Sequence, residues 1–179
     1  MAYCGHHECK SEVPGRRLQL GGAMTQAEQS ATLIADPKQR GILIVEDDLG
    51  PRESLRYMVK SRSYVNVHFA QNGQEALDQL VSLGGAVYLI LLDLRMPVMD
   101  GLTFLRRLAT DCRYPVGVIA VTAFPTPDGR RQFMEAGSPN VTPLDYVGKP
   151  FDLNDLLASV SRSLDRIHDR RQLAATRSG

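Results

Sequence analysis

Ile90-Leu91-Leu92-Asp93-Leu94-Arg95-Met96-Pro97-Val98-Met99-Asp100-Gly101 is the stretch from which the fold can be read. Val87 to Leu92 is a near-continuous apolar run, the composition of a strand buried on both faces of a parallel sheet. A lone carboxylate, Asp93, stands at its carboxyl end. Open α/β sheets bind their ligands outside the carboxyl ends of the strands, so an acid there is placed for chemistry. An aspartate can also simply cap a turn, and the other strand ends decide between the two. Pro97 and Asp100-Gly101 then break the chain before a new amphipathic run.

Upstream, Gly41-Ile42-Leu43-Ile44-Val45 is a short β-branched run ended by Glu46-Asp47-Asp48. Three adjacent acids repel one another unless a cation or the following helix offsets the charge. Pro51 suits a first helical turn, and Leu55, Met58 and Val59 give that helix one apolar stripe. Tyr64 to Ala70 alternates as a strand near the sheet edge, with His68 exposed, and Asn72-Gly73 leads into a helix that stops at Gly84-Gly85.

Downstream, Leu102, Leu105, Leu108 and Ala109 mark a third helix. Val116 to Val121 is a fourth buried strand with the Thr122 hydroxyl at its end; Ala123 is small enough to leave a pocket open, and bulky Phe124 shades whatever approaches. Thr126-Pro127 reads as N-cap and first turn of a fourth helix, with Phe133, Met134 and Ala136 inward. Ser138 to Pro143 reads as a loop, Leu144 to Gly148 as a short fifth strand, and Lys149 supplies a cation at its end. Leu153, Leu156, Leu157, Val160, Leu164 and Ile167 give the last helix its stripe.

Five βα units in succession make an α/β fold with a doubly wound, five-stranded parallel sheet. Glu46, Asp47 and Asp93 then form an oxygen cage suited to a hard divalent cation such as Mg²⁺. A carboxylate that attacks phosphorus needs its charge offset, by such a metal on one side and by the Lys149 ammonium on another. Thr122 offers a hydroxyl to the same place.

The chain has 179 residues and a formal charge of +1, one domain's worth of core with no field to attract nucleic acid or an anionic membrane. No uncharged apolar stretch approaches the roughly 18 residues that span a bilayer, so no membrane contact is expected. Three cysteines at no framework spacing fit a reducing, cytoplasmic setting. Residues 1–40 read as a mostly disordered leader, 41–168 as the domain and 169–179 as a flexible basic tail. Within the leader, Cys4, His6, His7 and Cys9 lack the paired spacing of a zinc site, and Met24 offers an alternative start.

Four stretches together resemble the receiver domain of two-component response regulators, of the flavodoxin-like fold: Ile42 to Asp48, Leu91 to Gly101, Val121-Thr122-Ala123 and Tyr146 to Phe151. The likeness covers about Gly41 to Arg166. It implies that Asp93 accepts a phosphoryl group from a sensor histidine kinase or phosphotransfer protein. It also implies that Glu46, Asp47, Asp93 and the Arg95 carbonyl hold Mg²⁺, with Asp48 leaving the register of the acidic pair open. Lys149 and Ala123 match the phosphoryl-binding positions, the bond to Pro150 is expected to be cis, and Thr122 and Tyr146 match the switch pair. Arg95 and Phe124 fall where receivers tune dephosphorylation.

The implied role is a stand-alone switch, not an enzyme beyond its own phosphorylation and dephosphorylation. It signals to an unidentified downstream protein through the surface of its fourth helix, fifth strand and fifth helix, where homodimers also form. The stretch from Ser138 to Pro143 is about five residues longer than the family link, which predicts an altered contact on that surface. Two other readings compete: a phosphorylation-independent interaction module, and an aspartate-nucleophile phosphatase of the haloacid dehalogenase type. The second fits poorly, because that family carries an Asp-x-Asp pair on its first strand. Direct DNA binding is not expected, since no helix-turn-helix follows the last helix.

Overall fold

The computed structural model describes residues 34–177. Five strands alternate with five helices: β1 (Gly41–Val45), α1 (Leu49–Ser61), β2 (Val67–Ala70), α2 (Gly73–Leu83), β3 (Val87–Leu92), α3 (Gly101–Asp111), β4 (Val116–Thr122), α4 (Pro127–Glu135), β5 (Val141–Gly148) and α5 (Leu153–Arg177). All pairings are parallel, in the order β2-β1-β3-β4-β5. This is the doubly wound sheet that the apolar runs imply. β1, β3 and β4 are buried along their whole lengths, whereas the edge strands β2 and β5 are only partly covered.

Successive residues of a strand point to opposite faces, and the two cores separate on that alternation. Leu43, Val45, Ile90, Leu92, Val118 and Ala120 face α2, α3 and α4 through Leu77, Phe104 and Phe133. Ile42, Ile44, Leu89, Leu91, Ile119 and Val121 face α1 and α5 through Met58, Val160 and Leu164. Burying one such side chain stabilises the fold by about 1.5–3 kcal/mol. Side-chain caps start the helices: Asn72, Asp100 and Thr126 accept from Glu75, Thr103 and Gly129 N–H groups.

Several boundaries differ from those read in the sequence. The expected basic tail from residue 169 is helix as far as Arg177. Arg171, only 3% exposed, explains why: its guanidinium donates to the carbonyls of Gly85, Val87 and Pro115 and lies 3.7 Å from the centre of the Tyr88 ring. The end of the expected leader is also part of the fold. Arg40 is buried and donates to the carbonyls of Ile34, Ala35 and Leu164 and to the Asp165 carboxylate, so residues 34–40 are held against α5. The rest of the leader, with Cys4, His6, His7, Cys9 and Met24, lies outside the described residues.

Val141, Thr142 and Pro143 belong to β5 and not to a loop; they pair with Val116, Gly117 and Val118 before a bulge at Leu144. β5 is an edge strand, where a proline and a bulge are tolerated. The extra residues therefore lengthen the strand at the end opposite the acids, where Asn140 donates to the Cys112 carbonyl and Arg170 to that of Pro139. Met134 and Leu153, expected inward, are exposed, and His68, expected exposed, is half-buried. Among the described residues no helix is long and apolar enough to cross a membrane.

Candidate functional site

Parallel pairing brings the acids together. Val45 and Leu92 are register partners, and the Asp93 N–H donates to the Val45 carbonyl at 2.9 Å. Glu46 and Asp93 thus leave adjacent strands side by side, and one carboxylate oxygen from each of Glu46, Asp47 and Asp93 lies within 4.8 Å of the others. Asp48 is excluded from this group, because its side chain turns back to cap α1 at the Gly50 N–H. The acidic pair beside Asp93 is therefore Glu46 and Asp47. Hard oxygen donors at this spacing fit a small divalent cation that keeps several of its waters.

Lys149 reaches the acids from the end of β5. Its N–H donates to the Thr122 carbonyl, the following bond to Pro150 is cis, and its Nζ lies 2.6 Å from Glu46 Oε2 and 2.7 Å from Asp93 Oδ2. The other Asp93 oxygen, Oδ1, accepts from the Arg95 N–H at 3.0 Å. Glu46 is 1% exposed and Asp93 7%, so the ammonium offsets a charge that water barely reaches. Burial holds the Glu46 carboxyl above its ordinary range despite Lys149. On Lys149 burial pushes downward, but the bonds to Asp93 and Glu46 outweigh it and raise the ammonium pKa. The lysine thus stays cationic, while Glu46 protonates more readily than a free carboxyl.

The loop after Asp93 is shaped by one glycine. A Cβ on Gly101 would overlap the Asp93 carbonyl oxygen, so only glycine lets α3 begin against that backbone. In the same loop Val98 has a φ of 66° and is 84% exposed, a left-handed conformation that strains a β-branched residue.

Thr122 is buried at the end of β4, and its hydroxyl oxygen accepts from the Phe124 N–H. Ala123 is exposed beside it. Phe124 is 56% exposed and lies under Arg95, whose guanidinium is 4.2 Å from the ring centre. Tyr146 is 9% exposed, with its ring tilted against Phe133 at 5.9 Å between centres. Thr122, Tyr146, Arg95, Asp100, Arg106 and Gly129 line a recess of about 600 Å³ next to the acids. Glu46, Asp47, Asp93 and Lys149 thus meet at the strand ends, Arg95 and Pro150 follow in the loops and Thr122 closes β4 with Ala123 after it, whereas Tyr146 lies within β5 and lines the recess.

Two participants were not read from the sequence. Gly129 lies under the Tyr146 hydroxyl, and Asp145 accepts from both the Tyr146 N–H and the Ser159 hydroxyl, joining β5 to α5. Only Thr126-Pro127, which sets the register of α4, could have marked Gly129.

A sequence model described as the response regulator receiver domain matches residues 42–161. Among curated proteins, the response regulator MprA of Mycolicibacterium vanbaalenii is 37% identical over 126 residues, covering 70% of this chain and 50% of that protein. The osmosensing histidine protein kinase SLN1 of Saccharomyces cerevisiae is 31% identical over 126 residues, covering 67% of this chain and 10% of the kinase. The chain thus spans about half the length of the first relative and a tenth of the second. A CheY-like response regulator receiver domain protein from Methanospirillum hungatei superimposes with a TM-score of 0.63 at 25% identity, covering 73% of this chain and 98% of that one.

Proposed function

This chain belongs to the response regulator receiver domain family, and on that footing we propose that Asp93 is a phosphoacceptor supplied by the phosphohistidine of a sensor histidine kinase or phosphotransfer protein. The observation that carries the proposal is the bridge from Lys149 Nζ to Glu46 and Asp93 at the carboxyl end of the sheet. A bond forms between a carboxylate oxygen and phosphorus as the phosphorus–nitrogen bond to histidine breaks, and charge gathers on the phosphoryl oxygens. Lys149 answers that charge at Asp93, and the Arg95 N–H holds the other Asp93 oxygen in place. The Thr122 oxygen already accepts one bond, which leaves its own hydrogen to donate to a phosphoryl oxygen.

Glu46, Asp47 and Asp93 would hold Mg²⁺, together with the Arg95 carbonyl that the family pattern adds. When bound, the ion supplies electrostatic compensation for the incoming phosphoryl oxygens. The product is the modified protein itself and not a released metabolite, so the chain acts as a switch and not as an enzyme with turnover. Thr122 and Tyr146 report the modification to the surface of α4, β5 and α5, where a downstream protein or a second copy docks. Such chemistry belongs in the cytoplasm, where kinase and Mg²⁺ meet. The reading is tested by mixing the chain with a phosphotransfer protein carrying labelled phosphohistidine. Label should move to the chain and fail to move to the Asp93→Asn variant; equal labelling of both would place the acceptor elsewhere.

A further inference from the structure

Gly129 is the third residue of α4, after the Thr126 cap, Pro127 and Asp128. Glycine is a poorer helix former than alanine, and nothing in the backbone asks for it, because Gly129 is not among the residues with positive φ. What asks for it is space. A Cβ there would lie 2.8 Å from Tyr146 Oη and 2.9 Å from Thr126 Oγ1, while the Tyr146 Cζ would be 3.8 Å away. Phe133 lies four residues on, one helical turn along the same face, and packs against the Tyr146 ring. The tyrosine therefore lies along α4 with its ring on Phe133 and its hydroxyl over the bare backbone of Gly129.

We propose that Gly129 is the positioning residue that keeps Tyr146 turned inward, and so sets the balance between inward and outward positions of that ring. Its bearing on signalling rests on the phosphoacceptor reading above; the seat itself does not. An added methyl group has to displace either the tyrosine hydroxyl or the helix cap. Relief by rotating Tyr146 outward changes the surface that α4 and β5 present, next to the recess that Thr122 also lines. Both overlapped atoms are side-chain ends that can give way, so the shift belongs at the low end of overpacking, about fivefold.

The test uses the full chain with Gly129→Ala, Tyr146→Phe and the pair combined. Tetranitromethane nitration is mapped by peptide mass, with Tyr57, 75% exposed, as the internal standard. Gly129→Ala should speed Tyr146 nitration relative to Tyr57 by about fivefold or more; an unchanged ratio overturns the proposal. Unfolding midpoints complete the cycle. Phenylalanine lacks the hydroxyl and leaves only the ordinary 3.8 Å contact, while the Thr126 contact is common to both backgrounds and cancels.

The loss caused by Gly129→Ala should therefore shrink in the Tyr146→Phe background, and an equal loss in both overturns the seat. If Gly129→Ala alone does not fold, recovery of folding in the double variant supports the proposal and failure to recover overturns it. A faster nitration in Gly129→Ala, together with a wild-type chain that acetyl phosphate does not phosphorylate, supports the seat and removes the phosphoacceptor reading instead.

Discussion

Replacing Asp47 by asparagine should stabilise the metal-free chain, although it removes a residue assigned to the site. Lys149 holds Glu46 and Asp93 and not Asp47, so the third carboxylate of the group meets two acids and one ammonium. At the 4.8 Å spacing of the group, one net unit of repulsion is worth about 0.9 kcal/mol in water and about 3.5 kcal/mol at an effective dielectric constant of 20. Asp47 is exposed, and the Arg52 guanidinium that donates to the Glu46 and Asp47 carbonyls offsets part of the repulsion, which caps the effect at the lower end, at most about 0.9 kcal/mol. The assay is urea unfolding by linear extrapolation, in EDTA and again in Mg²⁺.

In EDTA the midpoint of Asp47→Asn should rise with an unchanged slope. In Mg²⁺ at ten times its dissociation constant, the wild-type chain should gain about 1.4 kcal/mol by linkage, and the variant much less. The order of the two proteins then narrows or inverts. An Asp47→Asn variant that is less stable in EDTA, or one that gains as much from Mg²⁺ as the wild type, would refute the reasoning. The first result would mean that the trio is not repulsive, and the second that Asp47 is not a ligand.

Other consequences concern the base of the sheet and the rim of the site. Arg171→Ala strands the buried Val87 carbonyl and the half-buried carbonyls of Gly85 and Pro115 that the guanidinium now serves, and should cost about 2–4 kcal/mol in urea unfolding; a loss below about 0.5 kcal/mol is what a frayed tail would show. Phe124→Ala removes the ring under Arg95, a contact worth about 0.5–1 kcal/mol, and should shorten the acyl-phosphate lifetime about two- to fivefold; an unchanged lifetime contradicts a shielding role. Burial pushes the Cys112 thiol up. Its contribution to stability is therefore complete below the unfolded value of about 8.5 and is lost as pH rises towards the folded one. Cys112→Ala should flatten the fall in stability above about pH 8.5, and an identical fall in both proteins would count against it.

Much of the site was legible because its position follows from strand period. Apolar runs locate the carboxyl ends of β1, β3, β4 and β5, and Glu46, Asp93, Thr122 and Lys149 stand directly there. What local patterns do not carry is tertiary. Arg171 has the composition of a solvated tail and is buried by carbonyls and a ring from distant strands. Arg40 belongs to the fold because α5 and the Tyr88 ring pass it. Pro143 argues for a loop until β5 is known to be an edge strand. Asp48 became distinguishable from Asp47 once its side chain was placed at the cap. Thr126-Pro127 fixes the place of Gly129 in α4 but not its role, which is an absent atom under a residue 17 positions away in sequence.

The central claim is that Asp93 takes up a phosphoryl group in a pocket charged for that purpose. Its most direct test is intact mass of the chain after incubation with acetyl phosphate, with Mg²⁺ or EDTA, beside Asp93→Asn. The account predicts one added phosphoryl group in the wild type with Mg²⁺ and none in EDTA or in the variant. An adduct that persists in Asp93→Asn, or none at all in folded wild-type protein that binds Mg²⁺, would contradict it.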